Sequence, residues 1–198
     1  MVNFPRFIWF AIILIVLPAC SAYNEESHEL NVSDEETTEA SIVEIDDSRD
    51  MVEVDLKGRE GDRVGIAVLT EHNDGVNIQI EVWNLPAGLH GFHIHETGLC
   101  EEPSFESAGG HFNPTQTKHG FDHPEGPHLG DLPNLNINEV NRGQASFLAP
   151  GLTLKKGEPN SLLPEKGTAL VIHADPDDYI SQPAGNAGER IACGVIID

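Results

Sequence analysis

Asn73-Asp74-Gly75-Val76-Asn77-Ile78-Gln79-Ile80-Glu81-Val82-Trp83 holds a turn and a strand in one stretch. Asn, Asp and Gly together favour a tight reversal of the chain. From Val76 onward, Val, Ile, Ile and Val alternate with Asn, Gln and Glu. That period of two puts one row of side chains toward a core and the other toward solvent, as in a half-buried strand. Upstream, Arg63 to Thr70 (RVGIAVLT) forms a second strand candidate, and Met51 to Leu56 (MVEVDL) alternates again. Downstream, Leu85-Pro86-Ala87-Gly88 interrupts the pattern and Leu89 to His95 resumes it. Gly143–Leu148, Ala169–Ala174 and Ile191–Ile197 add three more strands. No amphipathic helix of useful length and no internal repeat occurs. Seven or eight short strands joined by long Gly- and Pro-rich loops predict an all-β sandwich or flattened barrel.

The chain has 198 residues, 39% of them apolar, enough for one domain plus an appendage. Its net charge is −22. This argues against nucleic acid as the main partner, which needs a basic stripe, and against a domain held to anionic lipid by a basic face. Arg6 is the only charged side chain before Glu25. Phe7 to Ala19 is an apolar run too short for a comfortable membrane span, so residues 1–19 read as a secretory signal. The run ends Leu17-Pro18-Ala19-Cys20, which resembles the bacterial lipobox. That reading makes Cys20 the lipidated first residue of the mature protein, on the outer face of the cell membrane. The alternative is a plain signal cleaved near Ala19 or Ala22, leading to the periplasm or the medium. Residues 20–50 hold eleven acidic residues and one basic residue. They cannot bury enough surface to offset their chain entropy and read as an acidic, disordered tether, or as a solubilising tail. The folded domain is assigned to residues 51–198, which carry 22 acidic and nine basic residues.

Residues 96–142 contain no long apolar run and are dense in Gly, Pro, Asn, Asp and His. So long an irregular segment inside a domain needs a metal or a disulfide to order it. Of ten histidines, eight lie between His90 and His173. His93-Ile94-His95 lies in a strand, where alternation puts both imidazoles on one face, a chelating pair on a rigid element. His111, His119, His128 and Asp131 follow with seven, eight and two residues between them. Three imidazoles and a carboxylate suffice for a tetrahedral zinc site. His173 ends a further strand. Cys100 and Cys193 are the only thiols besides Cys20. His90 at a strand start, His123 in the loop, His72 in a turn and His28 in the tether receive no ligand role.

Five segments are closely similar to the copper,zinc superoxide dismutase family: Gly91-Phe-His-Ile-His-Glu96, Ala108-Gly-Gly-His-Phe-Asn-Pro114, His128-Leu-Gly-Asp-Leu-Pro133, Leu170-Val-Ile-His-Ala174 and Gly185-Asn-Ala-Gly-Glu-Arg-Ile-Ala-Cys-Gly194. The likeness spans residues 51–198. It implies a Greek-key sandwich, a flattened eight-stranded antiparallel barrel with long metal-binding loops. It implies copper bound by His93, His95, His111 and His173, and zinc bound by His111, His119, His128 and Asp131, with His111 as the bridge. By the same resemblance Asp177 links His93 to His119, Arg190 holds the anion beside copper, and Cys100 pairs with Cys193. A disulfide closing a loop of that length contributes ~4–5 kcal/mol in the chain-entropy model. The implied activity is dismutation of superoxide to O2 and H2O2, with copper cycling between Cu(II) and Cu(I) beside a structural zinc and His111 as a proton carrier. The implied partners are superoxide and, through the N-terminal lipid alone, a membrane; a monomer and a homodimer both fit. The alternative function is a non-catalytic metal-binding or copper/zinc-buffering domain of the same fold. Two departures stand out. The segment His173–Arg190 is shorter than in animal members, lacks their lysine and is acidic. Thr97 stands where some bacterial members carry Lys. A local positive funnel at the site would draw on Arg190 with help from Lys118.

Overall fold

In a computed structural model, which describes residues 51–198, eight antiparallel strands follow the alternation. They are β1 (Met51–Gly58), β2 (Arg63–His72), β3 (Gly75–Trp83), β4 (Gly88–His95), β5 (Asp131–Ile137), β6 (Arg142–Pro150), β7 (Thr168–His173) and β8 (Arg190–Ile196). The proposed signal, Cys20 and the tether lie outside the described residues. The sheet order is β5-β4-β7-β8-β1-β2-β3-β6. Its two ends are consecutive strands joined by a tight turn, so the sheet curls into a nearly closed barrel. In that turn the Asn138 carboxamide oxygen accepts the N–H groups of Val140 and Arg142 at 3.1 and 3.0 Å. The β3–β4 and β6–β7 connections cross between non-adjacent strands, as in a Greek key.

The predicted rows hold. β1 alternates strictly, with Val52, Val54 and Leu56 inward and Met51, Glu53 and Asp55 outward. Ile78, Ile80 and Val82 of β3 meet Phe92 and Ile94 of β4 and Leu170 and Ile172 of β7 in one apolar core. Phe92 packs on Phe147 with ring centroids 5.6 Å apart. β7 is buried along its whole length. Its second face, Ala169 and Val171, joins Cys193, Phe105 and Ala108 in a smaller cluster under the loop that follows β4. Burial of Phe105 anchors that loop; truncating such a ring costs about 3–5 kcal/mol.

β5 is the strand that the alternation did not reveal, since residues 96–142 read as irregular throughout. The reason is local. Pro133 cannot donate to a ladder and the strand carries a bulge: His90 pairs with Leu135 but Phe92 pairs with Leu132. The apolar positions Leu132, Leu135 and Ile137 are therefore spaced three and then two apart, and the period of two is lost.

Candidate metal centres

On β4, Phe92 and Ile94 enter the core, so His93 and His95 point out of the barrel wall. They are nonetheless 0% and 1% exposed, because the loops after β4 and β7 roof that face. Pairing of β4 with β7 brings His173 alongside. An isolated bridge between His95 and His111 brings the loop histidine in. Side-chain donor atoms of His93, His95, His111 and His173 then all lie within 4.8 Å of one another. The outer nitrogen of each strand imidazole is engaged: His93 Nε2 with Asp177 Oδ2 at 2.7 Å, His95 Nδ1 with the Gly109 carbonyl at 2.9 Å, and His173 Nδ1 with the Gly188 carbonyl at 3.2 Å. A ring N–H donated outward leaves the lone pair of the other nitrogen facing the cluster.

A second cluster adjoins the first. His111, His119, His128 and Asp131 also hold their donor atoms within 4.8 Å of one another. Asp131 Oδ1 lies 2.8 Å from His111 Nδ1 and 3.1 Å from Nδ1 of both His119 and His128. Oδ2 accepts the N–H groups of Gly120 and His128 at 2.9 and 3.0 Å. Four donors bound tetrahedrally at zinc–nitrogen distances sit roughly 3.3 Å apart, near these separations. His93 Nδ1, His111 Nε2 and His119 Nδ1 are buried and have no hydrogen-bond partner. Even His119 Nδ1, so close to Asp131, lacks hydrogen-bond alignment. Buried polar atoms are rarely left unpartnered, and these three face the two clusters, so the donor set fits a pair of metal ions. Soft-to-borderline ions such as copper and zinc suit imidazole, and one carboxylate in the second set suits zinc.

Asp177 ties the clusters together, with Oδ2 on His93 and Oδ1 3.1 Å from His119 Nε2. The Tyr179 N–H and the Asn134 side chain fix it from behind. Gly185 presses on this carboxylate with φ of 65°, where a Cβ would collide with both Asp177 and His119. Arg190 donates to the Phe105 and Gly109 carbonyls, both at 2.6 Å. Gly109 thus holds both His95 and Arg190. Cys100 and Cys193 are disulfide-bonded, with Cα atoms 5.7 Å apart, which fastens the loop to β8.

Burial pushes the imidazoles of His93 and His95 below their usual range, brings His173 down to about 3 and His111 to about 4. These rings are neutral near pH 7 and keep their lone pairs. At His119 burial acts the same way, but the carboxylates of Asp131 and Asp177 outweigh it and raise the group to about 9. Both carboxyls stay far below their usual range: burial opposes this, and hydrogen bonds from the histidines overcome it.

All eight metal-site and linking residues singled out from the sequence, from His93 to Asp177, meet here, and Arg190 adjoins them. Of the residues given no role, His90 has one. Its Nδ1 lies 2.8 Å from the His173 carbonyl and its Nε2 2.9 Å from that of Pro86, so it straps the end of β7 to the turn before β4. Spacing could not reveal this, because the partners stand 83 and four residues away. His123 and His72 stay outside both clusters, each accepting a nearby backbone N–H. Lys118 is exposed.

A nearly closed β-barrel with two adjoining imidazole clusters that share one histidine defines a class of two-metal β-sandwich proteins. The sequence profile of the copper/zinc superoxide dismutase (SODC) family matches residues 63–196, and the chain belongs to that family. It is 53% identical over 143 residues to Superoxide dismutase [Cu-Zn] 1 of Aquifex aeolicus, covering 72% of this chain and 85% of the relative. It is 45% identical over 146 residues to the superoxide dismutase-like protein YojM of Bacillus subtilis, covering 73% and 74%. Among solved structures, a double mutant of a SOD-like protein from Bacillus subtilis matches with a TM-score of 0.72 at 46% identity, over 74% of this chain and 97% of that one. The Cu/Zn superoxide dismutase of Brucella abortus matches with 0.61 at 32%, over 74% and 99%.

Proposed function

We propose that this chain is an exported superoxide dismutase, with copper held by His93, His95, His111 and His173 and zinc held by His111, His119, His128 and Asp131. The observation that carries the reading is the pair of complete, adjoining donor sets with unpartnered nitrogens turned into them, beside the fixed cation of Arg190. The reaction converts two superoxide anions and two protons into O2 and H2O2. Copper supplies the one-electron acceptor and donor, as Cu(II) and Cu(I), and zinc supplies a redox-inert charge. The chain's residues do the rest. His111 presents Nε2 to one cluster and Nδ1 to the other, so it can take up a proton at Nε2 and give it back. Arg190 sets a permanent positive charge where an anion approaches His95 and His173. Asp177 keeps His93 and His119 in the tautomers that metal binding requires. Retention of every donor and of Arg190 weighs against a non-catalytic buffer.

The test is metal analysis alongside a dismutase assay on the purified mature protein. One copper, one zinc and activity lost in His173→Ala support the reading; a metal-loaded protein without activity overturns it. The lipid anchor and acidic tether rest on residues 1–50 and have their own test. Cys20→Ser should release the protein from the membrane to the medium, and aqueous partitioning of the native protein in detergent would overturn the anchor.

A further inference from the structure

The domain carries 22 acidic and nine basic residues, yet its proposed substrate is an anion. Two of the nine basic residues line one shallow pocket, together with Ser104, Glu106, Gly188 and Glu189: they are Arg190 and Arg59. The pocket abuts the first cluster, since the Gly188 carbonyl holds His173 and Arg190 shares the Gly109 carbonyl with His95. Arg59, in the β1–β2 turn, contributes to the same lining. Its Nε donates to the Pro103 carbonyl at 3.2 Å and its Nη1 to Glu189 Oε2 at 2.5 Å. Glu106 offers the only other carboxylate in the lining, and it faces Arg190.

We propose that Arg59 is a second anion-attracting residue for the pocket at Arg190, and that Glu189 holds its charge in check. The argument is one of balance. The lining carries two cations and two carboxylates, so the pocket is neutral within a strongly negative domain. One N–H from each Arg190 amino group is spent on a carbonyl, which aims that residue and leaves three of its five N–H donors. Arg59 keeps its Nη2 for an incoming anion. Its partner Glu189 has a side chain 75% exposed, and so exposed a pair adds little to stability, which leaves the fold small reason to keep it. Turning Glu189 neutral gives the lining a net positive charge; turning Arg59 neutral gives it a net negative one. A unit charge about 10 Å from a monovalent anion changes its local concentration about twofold in water, and salt screens that effect.

This proposal rests on the dismutase reading, so its test has two arms. In the metal-loaded protein, the second-order rate with superoxide at low ionic strength is measured for the native chain, Glu189→Gln, Arg59→Lys and Arg59→Gln. Glu189→Gln should run about twofold faster, Arg59→Gln about twofold slower and Arg59→Lys near native, with the differences vanishing in high salt. In the second arm, inorganic phosphate is titrated while the backbone amide NMR signals of Gly188 and Arg190 are followed, and affinities should rank in the same order. If the native protein consumes no superoxide while the phosphate ranking holds, the dismutase reading falls and the anion pocket stands. Equal rates and equal phosphate affinities across the variants overturn the proposal and make Arg59–Glu189 a tie between loops. Should Arg59→Gln fail to fold, Glu189→Gln alone decides, because it keeps the hydrogen bond and removes only the charge.

Discussion

The two clusters share His111 and are built in opposite ways. In the first, His93, His95 and His173 stand on paired strands, and backbone carbonyls of Gly109 and Gly188 set two of the rings. The barrel would hold the backbone of those residues in register even if the loop were loosened. In the second, only Asp131 stands on a strand, and His111, His119 and His128 come from the long loop, held chiefly by converging on one carboxylate oxygen. The first is a site that the fold presents; the second is a site that shapes its own loop. Damage should therefore spread from the second cluster and stay local in the first.

The sharpest break is His95→Ala. Loss of a proposed copper donor should cut dismutase activity well beyond the roughly 100-fold that loss of a supporting partner costs, with zinc content and melting temperature little changed. Unfolding together with zinc loss would show that the first cluster is not held by the barrel. Next comes removal of the disulfide by Cys100→Ser with Cys193→Ser. It closes a separation of 93 residues, so urea denaturation of the metal-free protein should show about 4–5 kcal/mol less stability. Asp131→Ala should weaken zinc binding at least about 100-fold, measured by chelator competition, and should make the loop susceptible to protease while some copper binding survives. Asp177→Asn touches both clusters through His93 and His119, and should cost about 10–100-fold in affinity at each. If it affects only one metal, the carboxylate is not the link between them. The smallest effect is salt. With a net-negative domain and a neutral pocket, the native rate should change less than about twofold between low ionic strength and 0.15 M. A steep fall would reveal a positive funnel around Arg190.

The same contrast explains what the sequence could disclose. Strands that bury one row advertise themselves, and Val76–Trp83 needs no neighbour to be read. The His93–His95 pair is equally legible, because a strand fixes which face each residue takes. In the loop nothing periodic exists, and its order came through only as ligand spacing and family likeness. β5 was hidden because a proline and a bulge shift its apolar row out of phase. His90 and Arg59 were hidden for another reason. Their partners lie far off in sequence, at the His173 carbonyl and at Glu189, and no local pattern encodes a meeting of that kind.

The seam between β1 and β8, where Lys57 lies opposite Cys193 and Gly58 opposite Ala192, joins the first strand of the domain to the last. Such distant pairing makes barrel closure slow, since nearly the whole chain must be gathered before the contact rewards it. A chain made only as far as β7 therefore has the Phe105 and Gly109 carbonyls but lacks the closing strand, Cys193 and Arg190. Formation of the Cys100–Cys193 disulfide and Arg190's capture of its two carbonyls both wait on the final strand, so the tie on the loop and the cation beside the first cluster are completed together.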